Sequence, residues 1–260
     1  MQLVKLTPVH RPAIARALSA QTKHCLLLLA RLPRLGEDPE VAFWGLGTQG
    51  RLHAVLACDR EDWALANPGG ADLYPLAGVV KTGGDVRLRG EAGTVGAIAR
   101  HLGPSVSSDR ACLAVELSRS SIPTQDPRGY TERHPMRRLQ NDEVEALVQR
   151  CPKIAAPVAR AARNGGRAMA LYDGEELVSA AWTEAEALGF AMIGGLYSEP
   201  ARRRMGFGTS CLWVLCRELL QENLTPLLVY EDPIVGRLVG QLGFTPYGRW
   251  RQILLGQGSC

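Results

Sequence analysis

The sequence has few aromatic residues and almost no charge imbalance. Phe, Trp and Tyr make up 6% of its 260 residues, and the formal net charge is only +4. So small an excess supports no electrostatic case for nucleic acid or an anionic membrane as partner. Long apolar runs are also missing. The longest purely aliphatic stretch, 26–30, is far too short to cross a bilayer, and no charged-then-apolar export segment stands at the N-terminus. The expectation is a cytoplasmic protein. The seven cysteines (Cys25, Cys58, Cys112, Cys151, Cys211, Cys216 and Cys260) are scattered and form no C-x-x-C pair. This argues against a disulfide framework or a structural zinc site, and for reduced thiols that behave as small core residues. The histidines, His10, His24, His53, His101 and His134, show no ligand spacing, so no metal is expected.

What remains is the composition of a folded chain, 46% hydrophobic and 22% charged, long enough to bury a substantial core. Residues 119–134 are polar, carry Pro123, Pro127 and Gly129, and show no apolar period, so they read as a linker. They separate a domain at 1–118 from one at 135–260, and the near-equal halves suggest duplication. In the first half, 41–46 and 52–58 form a hairpin around Gln49-Gly50. A strand at 86–88, then Gly90, Gly93 and Gly96, then an apolar helix to Leu102, reads as a worn copy of a strand-loop-helix unit. Glu91 in that loop would repel an anion, so the glycines there read as a structural turn. A strand at 111–117 follows.

The second half reads more clearly. A strand at 136–139 precedes a helix capped by Asn141 or Asp142 and ending near Cys151, and a second helix at 155–163 stops at Gly165-Gly166. Strands at 168–172 and 177–183 flank Asp173-Gly174, a strong hairpin signal. A strand at 190–197 leads to Pro200. Leu212, Leu215, Cys216, Leu219 and Leu220 then recur at helical spacing, with Trp213 off the stripe. A short apolar strand at 226–230, a helix opened by Asp232-Pro233 and ended by Gly243-Phe244, and a last strand at 250–255 complete the order. Strand-helix-strand near the end implies one parallel crossover in an otherwise antiparallel sheet.

Chemistry concentrates in one loop. An apolar strand feeds Ser198-Glu199-Pro200, then Arg203-Arg204-Met205-Gly206-Phe207-Gly208, then an amphipathic helix. First-turn amides without internal partners, the positive end of a helix dipole, side-chain-free glycines and nearby arginines suit a pyrophosphate. This stretch resembles the (Arg/Gln)-x-x-Gly-x-(Gly/Ala) phosphate loop of the GNAT superfamily of N-acetyltransferases, through Arg203, Gly206 and Gly208. Leu238-Val239-Gly240-Gln241-Leu242-Gly243-Phe244 is similar to the family's closing helix. The resemblance spans about 136–255.

The resemblance implies an α+β fold, with a mixed, mostly antiparallel sheet flanked by helices, built here as two tandem halves. It implies that acetyl-CoA, or another short acyl-CoA, enters between two splayed strands, 190–197 and 226–230. Main-chain groups of Leu196, Tyr197 and Ser198 would pair with the pantetheine. Amides of Arg204, Met205, Gly206, Phe207, Gly208 and Thr209, with Arg203 beside them, would hold the pyrophosphate. The implied activity is transfer of the acyl group to a primary amine by direct attack in a ternary complex. Where the family usually carries a tyrosine that protonates the thiolate this chain has Val239, and where it often has asparagine this chain has Asp232.

The strand 190–196 contains no acid. Glu184, Glu186 and Glu231 are then candidate bases, and Tyr197 and Tyr230 candidate replacement acids, with Glu231, Tyr230 and Tyr197 in the catalytic set. A protein that binds acyl-CoA without turning it over is the alternative, and a nucleotide-phosphate binder using the same loop physics is a second.

Overall fold

The computed structural model describes residues 1–48, 50–139, 158, 159, 161, 165–174 and 176–256. The helices expected across 141–151 and 155–163 fall outside the described residues, apart from 158, 159 and 161. Two compact units form: Met1–Leu113 with Gly248–Cys260, and Ala114–Tyr247. The units differ from the sequence halves at both junctions. The polar segment before 134 joins the second unit, and the end of the chain joins the first.

The first unit opens with strand β1 (Gln2–Leu6) and helices α1 (Arg11–Ser19) and α2 (Thr22–Arg31). Neither helix is evident from the sequence. Yet Ile14 and Leu18 sit one turn apart and are buried, as are Cys25, Leu26, Leu28 and Leu29. Strands β2 (Val41–Thr48), β3 (Arg51–Asp59) and β4 (Asp62–Ala66) follow, then helix α3 (Tyr74–Lys81), strand β5 (Val86–Glu91) and helix α4 (Ala92–Leu102). The strand order is β1-β2-β3-β4-β5, and next to β5 lies the chain's last strand, β12 (Thr245–Leu255). All neighbours are antiparallel except β4 and β5, whose register runs from Asp62↔Arg87 to Leu65↔Gly90. Leu56, Leu65, Leu76, Val80, Leu88, Ile98 and Ile253 meet in the core between this sheet and α3 and α4.

The second unit repeats that plan. The end of strand β6 (Val106–Glu116) lies beside β11 (Thr225–Tyr230). The order continues β10 (Phe190–Ser198), β9 (Glu176–Ala187), β8 (Ala168–Asp173) and β7 (Met136–Arg138). The β7–β8, β8–β9 and β9–β10 pairs are antiparallel and β10–β11 is parallel. Helix α5 (Phe207–Gln221) crosses between the parallel strands, and α6 (Pro233–Gln241) follows them. The predicted stripe on α5 is buried, with Leu212, Leu215, Cys216 and Leu219 each fully inside. Each such side chain contributes about 1.5–3 kcal/mol.

Two expectations need adjustment. The counterpart of β10–α5 in the first unit is β4–α3, not the 86–102 segment, whose place in the order matches β11–α6. Residues 119–134 are not a free connector either. The Trp213 indole donates to the Pro123 carbonyl at 2.9 Å and Arg217 to Thr124 at 2.9 Å, while Arg119 donates to the Leu220 carbonyl and to Asn223 Oδ1. Trp213 therefore packs under this segment, which runs along α5. Among the described residues no helix is long and apolar enough to cross a membrane.

Candidate functional site

The parallel strands of the second unit part company. Pairing of β10 with β11 runs from Phe190↔Thr225 to Ile193↔Leu228 and stops, although β10 continues to Ser198 and β11 to Tyr230. At the same point the β9–β10 register shifts twice, around Ile193. A bulge of this kind bends a strand out of its sheet. Gly194 and Gly195 make it feasible. A Cβ on Gly195 would lie 1.9 Å from Trp182 Cζ2, and one on Gly194 would lie 2.5 Å from Glu184 Cβ. The indole and the glutamate stem thus lie flat on the glycine backbone. In the first unit β4 ends one residue after its last pair with β5, and a Cβ on Gly90 would strike the Leu65 carbonyl at 2.5 Å. That strand pair is closed.

The loop after β10 turns on two residues in the left-handed region, Arg204 (φ 65°) and Gly206 (φ 99°). Gly206 is the N-cap of α5, and no side chain caps that helix. The amides of Thr209 and Ser210 already donate to the Gly206 carbonyl at 3.0 and 3.2 Å. Thr209 therefore offers no spare amide, and the donors that remain from the expected set are those of Arg204 to Gly208. Gly208 packs against the end of β10, where a Cβ would lie 3.0 Å from Ser198 Oγ and 3.5 Å from Leu196. The helix N-terminus is thereby seated beside the part of β10 that has left β11.

Glycine at 206 is required by the local geometry as well. Beside its positive φ, the space where a Cβ would go is filled by the Arg128 side chain, with Cγ at 2.9 Å and Cδ at 3.0 Å. The three loop arginines also part ways. Arg202 is tied to Asp173 at 2.5 Å, and Arg203 donates from Nε to the Ser198 carbonyl at 3.3 Å. Arg204 is exposed.

The helix starts of the first unit, α3 as the counterpart of α5 and α4 as the counterpart of α6, look different from the α5 start. At α3 the Tyr74 amide donates to the Asp72 carboxylate at 3.1 Å, and Asn67 closes the preceding loop onto Ala71. At α4 the Glu91 carboxylate accepts from the Gly93 and Thr94 amides at 2.8 and 2.7 Å. Burial opposes ionisation of Glu91, but these amide bonds hold its pKa below the ordinary value. A carboxylate occupies each of these two helix starts.

The candidate proton-transfer residues are not brought into one cluster. The Tyr197 hydroxyl donates to Glu199 Oε2 at 2.5 Å, and its ring packs with Trp182 on the face of the sheet opposite α5. Tyr230 leans on α6, where a Cβ on Gly236 would lie 2.9 Å from its ring. Glu231 is exposed at the end of β11, and Asp232 caps α6 through the Ile234 amide at 2.7 Å. Glu186 is committed elsewhere: it accepts from buried Arg167 at 2.8 and 3.0 Å and from the Thr183 hydroxyl at 2.6 Å. Arg167 also reaches Glu218 on α5 and Glu222 just beyond its C-terminus. Glu184 lies over Gly194 at the bulge. Val239 is only 2% exposed, so its side chain belongs to the core. The sequence reading passed over Asp126, Arg128 and Tyr130 because they stand in a segment without periodicity. Two open cavities, about 430 and 400 Å³, flank Arg119 and Leu220 at the far end of α5, away from the loop. Among the described residues no group of three His, Cys, Asp or Glu is placed to hold a metal.

No known family model and no curated protein sequence matches this chain. Solved structures do. A Drosophila protein superposes with a TM-score of 0.71 at 14% identity, covering 99% of both chains. A tandem GNAT protein from the clavulanic acid biosynthesis pathway gives 0.63 at 12% identity, covering 100% of this chain and 99% of the other. A GNAT-family acetyltransferase from Colwellia psychrerythraea gives 0.56 at 12%, over 98% and 100%. The chain has the GNAT fold, twice in tandem.

Proposed function

We propose that the protein is an acyl-CoA-dependent N-acyltransferase whose acyl-CoA site lies in the unit Ala114–Tyr247. The observation that carries this reading is the open strand pair with a glycine-capped, uncapped-by-side-chain helix beside it, found in the second unit and closed in the first. The backbone of β10 beyond Ile193 would pair with the pantetheine arm, through Leu196 to Ser198. The amides of Arg204 to Gly208, with Arg203, would take the pyrophosphate. The acyl-CoA is then held with its thioester in the gap between β10 and β11.

The chemistry asked of the residues is modest. The amine must lose a proton before its nitrogen attacks the thioester carbonyl; the carbon–sulfur bond then breaks and the thiolate takes up a proton. A thiolate is a good leaving group, so Val239 in place of the family's tyrosine does not stop the reaction. Glu231 is proposed to hold or deprotonate the amine. Tyr230 or Tyr197 would protonate the thiolate, the latter with Glu199 fixing its hydroxyl. No thiol is expected to carry the acyl group, because Cys211 and Cys216 are buried in α5.

Buried Val239 favours a second reading, a protein that binds acyl-CoA without transferring it. Calorimetry with acetyl-CoA, followed by turnover on a panel of primary amines, separates the two. Binding with transfer supports the enzyme, and Glu231→Gln should then lower kcat at least tenfold, the scale of general-base loss, with the KM for acetyl-CoA unchanged. Binding without transfer to any amine favours the second reading. No binding by the native chain, or a preference for ATP, refutes both.

A further inference from the structure

Resting on the acyl-CoA reading, we propose that Arg128 is a phosphate-contacting residue of the cofactor site, delivered to the loop by the polar segment 119–134. The segment is pinned on both sides of Arg128. Asp126 accepts from the Ser210 hydroxyl at 2.8 Å, the Arg128 amide at 3.0 Å and the Thr131 amide at 3.1 Å. Tyr130 donates to the Met205 carbonyl at 2.9 Å, and its ring lies 4.4 Å from that of Phe207. Between these pins the Arg128 stem runs across Gly206, where a Cβ would sit 2.9, 3.0 and 3.3 Å from Cγ, Cδ and Nε. The guanidinium is thus brought to the start of α5 by a path that only glycine leaves open.

Its present partner is weak. Arg128 donates to the Gln241 side-chain oxygen at 3.2 Å, a neutral acceptor, whereas Arg202 in the same loop is neutralised by Asp173. A diphosphate outcompetes an amide oxygen for a guanidinium, because it adds opposite charge and accepts two parallel N–H bonds. The electrostatics also ask for such a cation. Asp126 places a carboxylate on the first turn of α5 and offsets part of the positive end of the helix dipole. Arg128, two residues on, restores the balance for a doubly charged diphosphate.

The test compares acetyl-CoA, acetyl-3′-dephospho-CoA and S-acetylpantetheine binding to the full chain and to Arg128→Gln and Arg128→Lys. The expected result is a loss of about tenfold in affinity for both nucleotide forms in Arg128→Gln, the scale of one charge-assisted bond. Affinity for acetylpantetheine and the unfolding temperature stay unchanged, and Arg128→Lys recovers part of the loss. Equal affinity in the variant overturns the proposal, as does an equal loss on acetylpantetheine. A loss confined to the 3′-phosphorylated form overturns the diphosphate contact. Failure of the native chain to bind acetyl-CoA is a different result and takes the acyl-CoA reading down with it.

Discussion

At Gly195 a methyl group would fall 1.9 Å from the Trp182 ring, inside any real contact. Gly195→Ala should therefore force the indole or the bulge to move, at a cost of about 1–3 kcal/mol, read as a shift of the denaturation midpoint. Acetyl-CoA affinity should fall with it, since the bulge separates β10 from β11. The α5 thiols lead to a second expectation. Burial pushes the Cys211 thiol up to about 12 and raises Cys216 as well. Both should resist alkylation in the native protein near neutral pH and react only after denaturation, whereas half-buried Cys58 and Cys112 differ in access. Peptide mapping after a timed iodoacetamide pulse checks this. Labelling of Cys211 in the native state would reopen the question of a covalent acyl-enzyme.

Helix α5 is the element on which the second unit turns. Its stripe was legible in the sequence because Leu212, Leu215, Leu219 and Leu220 recur at helical spacing and leave no other period. Its companions were not. The segment along it is held by scattered side-chain hydrogen bonds, from Trp213 and Arg217 to the segment and from its own Arg119 to Leu220 and Asn223, and such bonds leave no periodic trace. Arg167 is a similar case: one arginine just before β8, 6% exposed, reaches Glu186 on β9, Glu218 on α5 and Glu222 beyond the helix end. Arg167→Ala removes a buried cation shared by three carboxylates that keep access to water, and should cost about 1–3 kcal/mol, with Arg167→Met less harmful because it keeps the packing; urea unfolding of the two variants measures the difference. In the first unit the sequence suggests the copy of the strand-loop-helix unit at 86–102. The true counterpart escaped because β4 has five residues and α3 eight, the latter with only Leu76, Ala77 and Val80 buried.

For the molecule as a whole, acid stability follows from groups in both units. Burial holds His24 below its ordinary pKa. Hydrogen bonds from Arg251 and Arg167 hold Asp109 and Glu222 below theirs, as amides do for Glu91. In each case the unfolded chain takes up the proton first, so each contribution is lost as pH falls. Stability should be level near neutrality, begin to decline below about pH 6.5 through His24, and fall steeply near pH 4 through the carboxylates. Thermal melts across that range test it, and a midpoint that rises on acidification would contradict it. The repeat itself was legible as two near-equal halves. Its exchange of end segments was not, because β12 is as apolar as a strand of either unit would be.

That exchange has a consequence for how the protein is made. Strand β5 pairs with residues 250–255, which leave the ribosome only after all of Ala114–Tyr247. The N-terminal unit must wait through that synthesis with one strand edge uncovered, a period in which it is open to chaperones and to aggregation. A chain truncated before Gly248 should leave that edge of β5 unsealed, and limited proteolysis should cut its first unit where the full chain resists.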